Sequence, residues 1–174
     1  MAETGVQHEI RVAQGSDAGG VVELLAEIYA EDRWFVGDGP PSAGSLARRI
    51  RSEDRSDVLL LVATTEREVI GWLELQRLQA DKLRHVAVLT LAVARAYRRR
   101  GVATGLLREA YAWAERHGVA KISLSVRANN DAAVALYERE RFVHEGREVG
   151  HIRVESGFED NLIMARFLAD GPAR

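Results

Sequence analysis

The sequence predicts a mixed α/β domain built around one twisted sheet. Three observations carry this. VLLLVAT (58–64) and HVAVLTLAV (85–93) are near-continuous apolar runs, as in strands covered on both faces. LLREAYAWAERHG (106–118) repeats its apolar residues at helical spacing. The segments read strand, helix, helix, three strands, helix, strand, helix, strand, strand, so they do not form a repeating βαβ array.

EIRVAQ (9–14) alternates enough for a first short strand. Ser16 and Asp17 supply side-chain oxygens to cap a helix. Val21, Val22, Leu24, Leu25, Ile28 and Tyr29 then follow at helical spacing. GDGPPS (37–42) is the strongest breaker in the chain, and a short helix over 45–51 follows, with Leu46 and Ile50 four apart. VIGWLELQ (69–76) is a strand joined to 58–64 by a hairpin at TEREV (65–69), and QADKLR (79–84) is a polar connection. In the third helix Leu106, Leu107, Ala110 and Trp113 share a face, and Gly118 stands where a left-handed terminating residue belongs. KISLSV (121–126) alternates cleanly, and Asn129–Asp131 can cap a helix carrying 132–139. FVHEGR (142–147) and DNLIMARFL (160–168) close the sheet, with a turn around Ser156–Gly157.

The chain has 174 residues, which suits one domain over 1–174 with its core at about 8–168. Apolar residues make up 47% and charged residues 29%, the balance of a globular protein. Net charge is −2, which argues against a general nucleic-acid binder. There is no cysteine, so disulfides, thiolate catalysis and cysteine-ligated zinc are excluded, and a cytoplasmic location is expected. The polar N-terminus lacks the apolar core of a signal peptide, and no apolar run is long enough to span a membrane. The tail ADGPAR reads as a frayed end.

RRRGVATGLL (98–107) lies between an apolar strand and a helix. The first turn of a helix leaves backbone N–H groups unpaired, and the helix dipole adds positive charge there. A glycine at that point lets the backbone approach a bulky anion, so phosphate is a natural ligand. A solvated basic turn is the alternative. The stretch is not a Walker A loop, and Arg99 and Ala103 stand where a dinucleotide fingerprint would want glycines.

Arg98-Arg99-Arg100-Gly101-Val102-Ala103 resembles the R/Q-x-x-G-x-G/A signature of the GNAT family, the Gcn5-related N-acetyltransferases. Leu91-Ala92-Val93 precedes it as the family's fourth strand does. Asn130-x-x-Ala133-x-x-Leu136-Tyr137 with Phe142 and Gly146 is similar to the family's next motif, and Asp160, Leu162 and Met164 resemble its closing strand. The resemblance implies a fold in which strands four and five splay apart and acetyl-CoA serves as co-substrate, with no metal. It implies that backbone groups of Leu91 and Val93, beside Ala92, pair with the pantetheine. N–H groups around Arg99, Arg100, Gly101, Val102, Ala103 and Thr104 would cradle the pyrophosphate, aided by the charges of Arg98–Arg100. Asn130 and Ala133 would line the thioester end.

Tyr137 is the expected general acid, since a phenol near the sulfur donates a proton or hydrogen bond to the departing thiolate. The expected base is less direct. Histone-type members carry a glutamate where this chain has Ala87. His85, two residues earlier and on the same strand face, has a reference pKa of about 6.5 that suits a base. Glu74 and a relay through water are alternatives. Arg141 replaces the family's glycine before Phe142, so either it adopts a left-handed conformation or the turn differs. Glu27 and Glu31 would attract a cationic amine, with Asp32, and Trp34 would hold its side chain, with Tyr29 and Phe35.

The resemblance therefore implies an acetyl-CoA-dependent N-acetyltransferase of a small amine, an amino acid among the candidates, working as a homodimer without nucleic acid or membrane. A protein N-terminal or lysine acetyltransferase, and a catalytically silent acyl-CoA sensor, are the rival expectations.

Overall fold

The computed structural model describes residues 7–52 and 55–168; the tail expected to fray lies outside them. The strands are β1 (Glu9–Val12), β2 (Val58–Thr64), β3 (Val69–Arg77), β4 (Val86–Val93), β5 (Lys121–Arg127), β6 (Val143–Val154) and β7 (Gly157–Phe167). The helices are α1 (Ala18–Ala30), α2 (Ala43–Ser52), α3 (Val102–Arg116) and α4 (Asp131–Arg139). One seven-stranded sheet results, in the order β1-β2-β3-β4-β5-β7-β6. Only β4 and β5 run parallel; every other neighbouring pair is antiparallel.

Strand alternation divides the core into two layers. Leu59, Leu61, Leu73, Leu75, Leu89, Ile122 and Leu124 pack against α3 and Tyr137 of α4. Val58, Leu60, Val62, Trp72 and Ala92 pack against α1 and α2. The helix α3 crosses β3 closely at Gly71, where an added Cβ would lie 3.0 Å from both Leu106 and Val102.

Asp17 stands at the start of α1 but makes no side-chain cap to that helix. Its carboxylate instead accepts from the Gln14 N–H at 2.7 Å and from both Arg11 Nη atoms at 2.7 and 2.8 Å. The Arg11 hydrogen bonds hold its pKa below the ordinary carboxylate value. The strand expected over 142–147 extends to Val154, because β6 is an edge strand and mostly exposed, so it carries no apolar alternation. Its ladder is interrupted between Glu148 and Ile152, where Gly150 has φ 62° and donates its N–H to Asp160 at 2.7 Å.

Arg141 takes the left-handed conformation, with φ 64°. Arg141 N–H donates to Glu138 O and Phe142 N–H to Tyr137 O, both at 2.9 Å. This is the paired 5→2 and 6→1 closure of a Schellman turn, sealed by the Tyr137–Phe142 ring contact at 5.4 Å. The glycine turn of the family is thus kept with an arginine in it. Left-handed geometry costs an L-residue about 1–2 kcal/mol, partly offset by the extra entropy a glycine loses. Arg141→Gly should therefore raise stability by about 0.5–1 kcal/mol, read as a higher urea midpoint; an unchanged or lower midpoint would show the strain is not there.

Candidate active site

The sheet opens where its one parallel pair ends. β4 and β5 pair at Val86–Lys121, Ala87–Ile122 and Val88–Ser123 and no further. Beyond that point β4 stays on β3 as far as Val93–Gly71, while β5 stays on β7 as far as Arg127–Asn161. The two strands are each held from outside and part from each other.

The ladder fixes which backbone groups line this gap. Ala94 N–H donates to Ile70 O at 2.9 Å, so by antiparallel alternation Val88, Thr90 and Ala92 turn their polar groups to β3. Leu89, Leu91 and Val93 turn theirs outward. On β5, Ala128 N–H donates to Asp160 O and Leu168 N–H to Ala120 O, both at 2.9 Å, so Ser123, Ser125 and Arg127 face the gap. Ser123 still belongs to the closed β4–β5 ladder, and beyond it two groups are occupied. Val93 O accepts from Arg98 Nε at 3.1 Å, and Arg127 O accepts from Asn130 N–H at 3.0 Å. The remainder suit an extended chain carrying amide groups, laid between the strands as an extra strand would lie.

At the wide end of the gap the chain turns into α3. Gly101 has φ 82° and forms the N-terminal boundary of the helix, without a side-chain cap. Arg99, two residues earlier, is also left-handed at φ 63°. The first intrahelical bond runs from Gly105 N–H to Gly101 O at 2.9 Å, which leaves Val102, Ala103 and Thr104 N–H groups without a helical acceptor. A Cβ on Gly101 would meet nothing within 4 Å. The glycine therefore serves the left-handed backbone conformation and not the packing.

The three arginines divide. Arg99 and Arg100 are exposed. Arg98 is committed: its Nη1 donates to Glu31 Oε2 at 2.9 Å and its Nη2 to Glu31 Oε1, and its guanidinium lies 5.9 Å from the Trp34 ring centre. Trp34 Nε1 donates to the same carboxylate at 2.6 Å. Hydrogen bonding from Arg98 is the main cause that lowers the Glu31 pKa, opposed by burial. Glu31 and Trp34 thus tie the α1–α2 connection to the turn before α3, and both Glu31 oxygens are engaged by Arg98. Glu27 is likewise used, accepting the Arg95 N–H at 2.9 Å.

Tyr137 lies in the α3-side core, 8% exposed, and burial alone pushes its hydroxyl up to about 12. Asn130 caps α4, its Oδ1 accepting from Ala133 N–H at 3.2 Å. Loss of that cap in Asn130→Ala should lower stability by about 1 kcal/mol, measured by urea titration; an unaltered midpoint would remove the capping role.

His85 sits elsewhere. It precedes β4, is exposed, and its carbonyl accepts from Ala120 and Lys121 N–H at 2.8 and 3.0 Å. That is the closed end of the β4–β5 pair, six residues and about 20 Å along the strand from Leu91. Glu74 lies beside Thr90 on the α1/α2 face, with Arg49 Nη1 and Nη2 on its two oxygens at 2.9 and 2.5 Å. Arg127, only 5% exposed at the end of β5, was not expected from the sequence. The signal was the alternation of Ile122, Leu124 and Val126, which turns residue 127 to the opposite, α1/α2 face. Among the described residues, no group of three His, Asp or Glu could hold a metal ion, and no helix is long and apolar enough to cross a membrane. An apolar cavity of about 230 Å³ lies apart from the gap, between β1, β2 and the far end of α3 at Trp113 and His117.

The family model for the acetyltransferase (GNAT) family matches residues 23–141. The chain belongs to the GNAT family. It is 33% identical over 155 residues to the N-alpha-acetyltransferase RimI of Mycobacterium tuberculosis, covering 89% of each chain. It is 30% identical over 117 residues to the L-amino acid N-acetyltransferase AaaT of Escherichia coli, covering 67% of this chain and 72% of that one. The fold superposes on YncA of Salmonella typhimurium, a structure with acetyl-CoA, at a TM-score of 0.86 with 16% identity, over 97% of this chain and 98% of that one. The GNAT chain described above is accordingly an acetyl-CoA-dependent N-acetyltransferase.

Proposed function

We propose that this GNAT protein acetylates the primary amine of a small molecule, an amino acid among them, by direct attack within a ternary complex. The observation that carries this is the gap itself, lined by odd-numbered backbone groups of β4 and β5 and ending on the free N–H groups of α3. Acetyl-CoA supplies the activated acetyl group as a thioester. Leu91 and the free N–H of Val93 hold and orient the pantetheine chain. The Gly101–Thr104 N–H groups bind the pyrophosphate, with the exposed Arg99 and Arg100 as the charges that assist. Asn130 and Ala133 line the thioester end.

Transfer forms the C–N bond and breaks the C–S bond. Tyr137 donates a hydrogen bond to the departing sulfur, which carries the electron pair of the broken bond. With its pKa raised to about 12 the phenol stays protonated throughout the assay range, so it acts as a donor. The proton lost by the amine goes to ordered water, because His85 lies at the closed end of the strand pair and Glu74 is held by Arg49. His85→Ala should then leave the pH–rate profile of kcat/KM unshifted; loss of an acid limb near the histidine range would return His85 to the reaction.

An N-terminal residue of a protein is the second reading for the acceptor. The 33% identity to RimI over 89% of both chains favours it, as does the open α1/α2 face of the gap, where Thr90 and Ser125 are exposed. Thiol release from acetyl-CoA with free amino acids, then with N-terminal peptides and with lysine peptides, separates these readings. Acetyl-CoA binding with no thiol release from any amine would leave only the silent sensor. A cytoplasmic homodimer belongs to the same proposal, and sedimentation of the purified chain tests the assembly.

A further inference from the structure

We propose that Arg127 reads an oxygen on the carbon next to the amine-bearing carbon of the acceptor, so that the enzyme selects α-amino acids or aminoacyl amides over plain amines. The inference rests on the acetyltransferase reading and deepens it.

Arg127 is 5% exposed, and its guanidinium is poorly satisfied. Nη1 donates to Glu159 Oε2 at 3.3 Å and Nη2 to the Phe35 carbonyl at 3.2 Å. Both lie beyond the 2.7–2.9 Å usual for charge-assisted bonds, by about 0.3–0.6 Å. Nε is buried with no hydrogen-bond partner. An unpaired buried donor on a charged group is costly, and native structures rarely leave one without a reason.

Its position supplies the reason. Continuing the Val88–Ser123 register by four residues sets Arg127 level with Ala92, across the gap from Leu91 and Val93. Its side chain lies on the α1/α2 face, opposite α3. It touches the α1–α2 connection through Phe35 and β7 through Glu159, whose other oxygen takes Asn129 Nδ2 at 2.9 Å. Each Nη spends one of its two N–H groups on elements that border the acceptor side, and Nε–H makes no hydrogen bond at all. The unbonded Nε–H beside the Arg127–Glu159 pair suits an oxygen from an amide carbonyl or from a carboxylate. Each Nη also has a second N–H, so the guanidinium can meet a carbonyl with one bond or a carboxylate with two.

The test uses three matched trios with the side chains of alanine, methionine and phenylalanine. Each trio contains the free L-amino acid, its amide, and the amine lacking the carbonyl carbon (ethylamine, methylthiopropylamine, phenethylamine). In the accepted trio the wild-type enzyme should favour a carbonyl-bearing member by about 100-fold or more in kcat/KM, as expected when a buried donor is left unpaired. Preference for the amide identifies a neutral carbonyl as the oxygen, and preference for the acid identifies the carboxylate; either supports the proposal. In Arg127→Met the preference should collapse while acetyl-CoA affinity is kept. Arg127→Met/Glu159→Gln repeats the measurement without an uncompensated carboxylate, should the single variant fold poorly. Equal rates within every trio, or a preference that survives both variants, would overturn the role of Arg127 while leaving the acetyltransferase reading intact. A panel with no thiol release at all would overturn both.

Discussion

Gly101→Glu should abolish acetyl-CoA binding at concentrations that saturate the parent enzyme. Two effects act together. The residue sits at φ 82°, where a side chain costs about 1–2 kcal/mol of backbone strain. The larger effect is charge. A carboxylate about 6 Å from one pyrophosphate charge contributes about 3 kcal/mol of repulsion at an effective dielectric of 20, so roughly 100-fold in affinity per charge. Because a Cβ at Gly101 meets no neighbour within 4 Å, a neutral asparagine, which tolerates the left-handed region, should bind acetyl-CoA far better than glutamate. Calorimetric titration of both variants separates charge from shape. Normal binding by the glutamate variant would remove the cradle from α3.

Tyr137→Phe should lower kcat by about 100-fold or more while acetyl-CoA affinity stays level. Phenylalanine retains the ring that packs on Phe142 in the Schellman turn, so the fold should persist. The pH behaviour adds a check. Burial pushes the phenol up from its ordinary 10.0 to about 12, so its ionisation should not depress the wild-type rate as the assay is raised to pH 10. The linked stability has the matching sign. A folded state that prefers the neutral phenol has that contribution in full below pH 10, and loses it as the pH climbs from 10 to about 12. A Tyr137→Phe enzyme with unchanged turnover would end its role as donor to the sulfur.

Much of the frame is legible in particular residues. Leu59–Ala63 announces a strand buried on both faces, whereas the equally apolar 85–93 run is buried on the α3 face and leaves Val88 and Thr90 exposed on the other. Asn130, Gly118 and Gly101 mark helix ends because few residue types solve the backbone problem at those points. The family motifs fall on the same positions, since a left-handed turn and a row of free N–H groups are local features. The partners of long side chains are a different matter. Nothing in the order of residues shows that Arg98 is taken by Glu31, sixty-seven positions away, or that Arg49 covers Glu74. Such pairings depend on how α1 and α2 lie over the sheet. Alternation puts His85 in line with Ala87, but it carries no information about where β4 begins or where it leaves β5, and His85 falls just before the strand. Arg127 reads as a polar strand end until the tertiary fold buries it.

In the proposed reaction the acetyl group passes directly from acetyl-CoA to an amine within the β4–β5 gap. Rapid-quench sampling with acetyl-CoA labelled in the acetyl carbonyl, with and without an accepted amine, tests it most directly. The expected result is label appearing on the amine nitrogen at the rate of thiol release, with none bound covalently to the protein at any time. Label accumulating on the protein before the amine, or thiol release without an N-acetyl product, would contradict it.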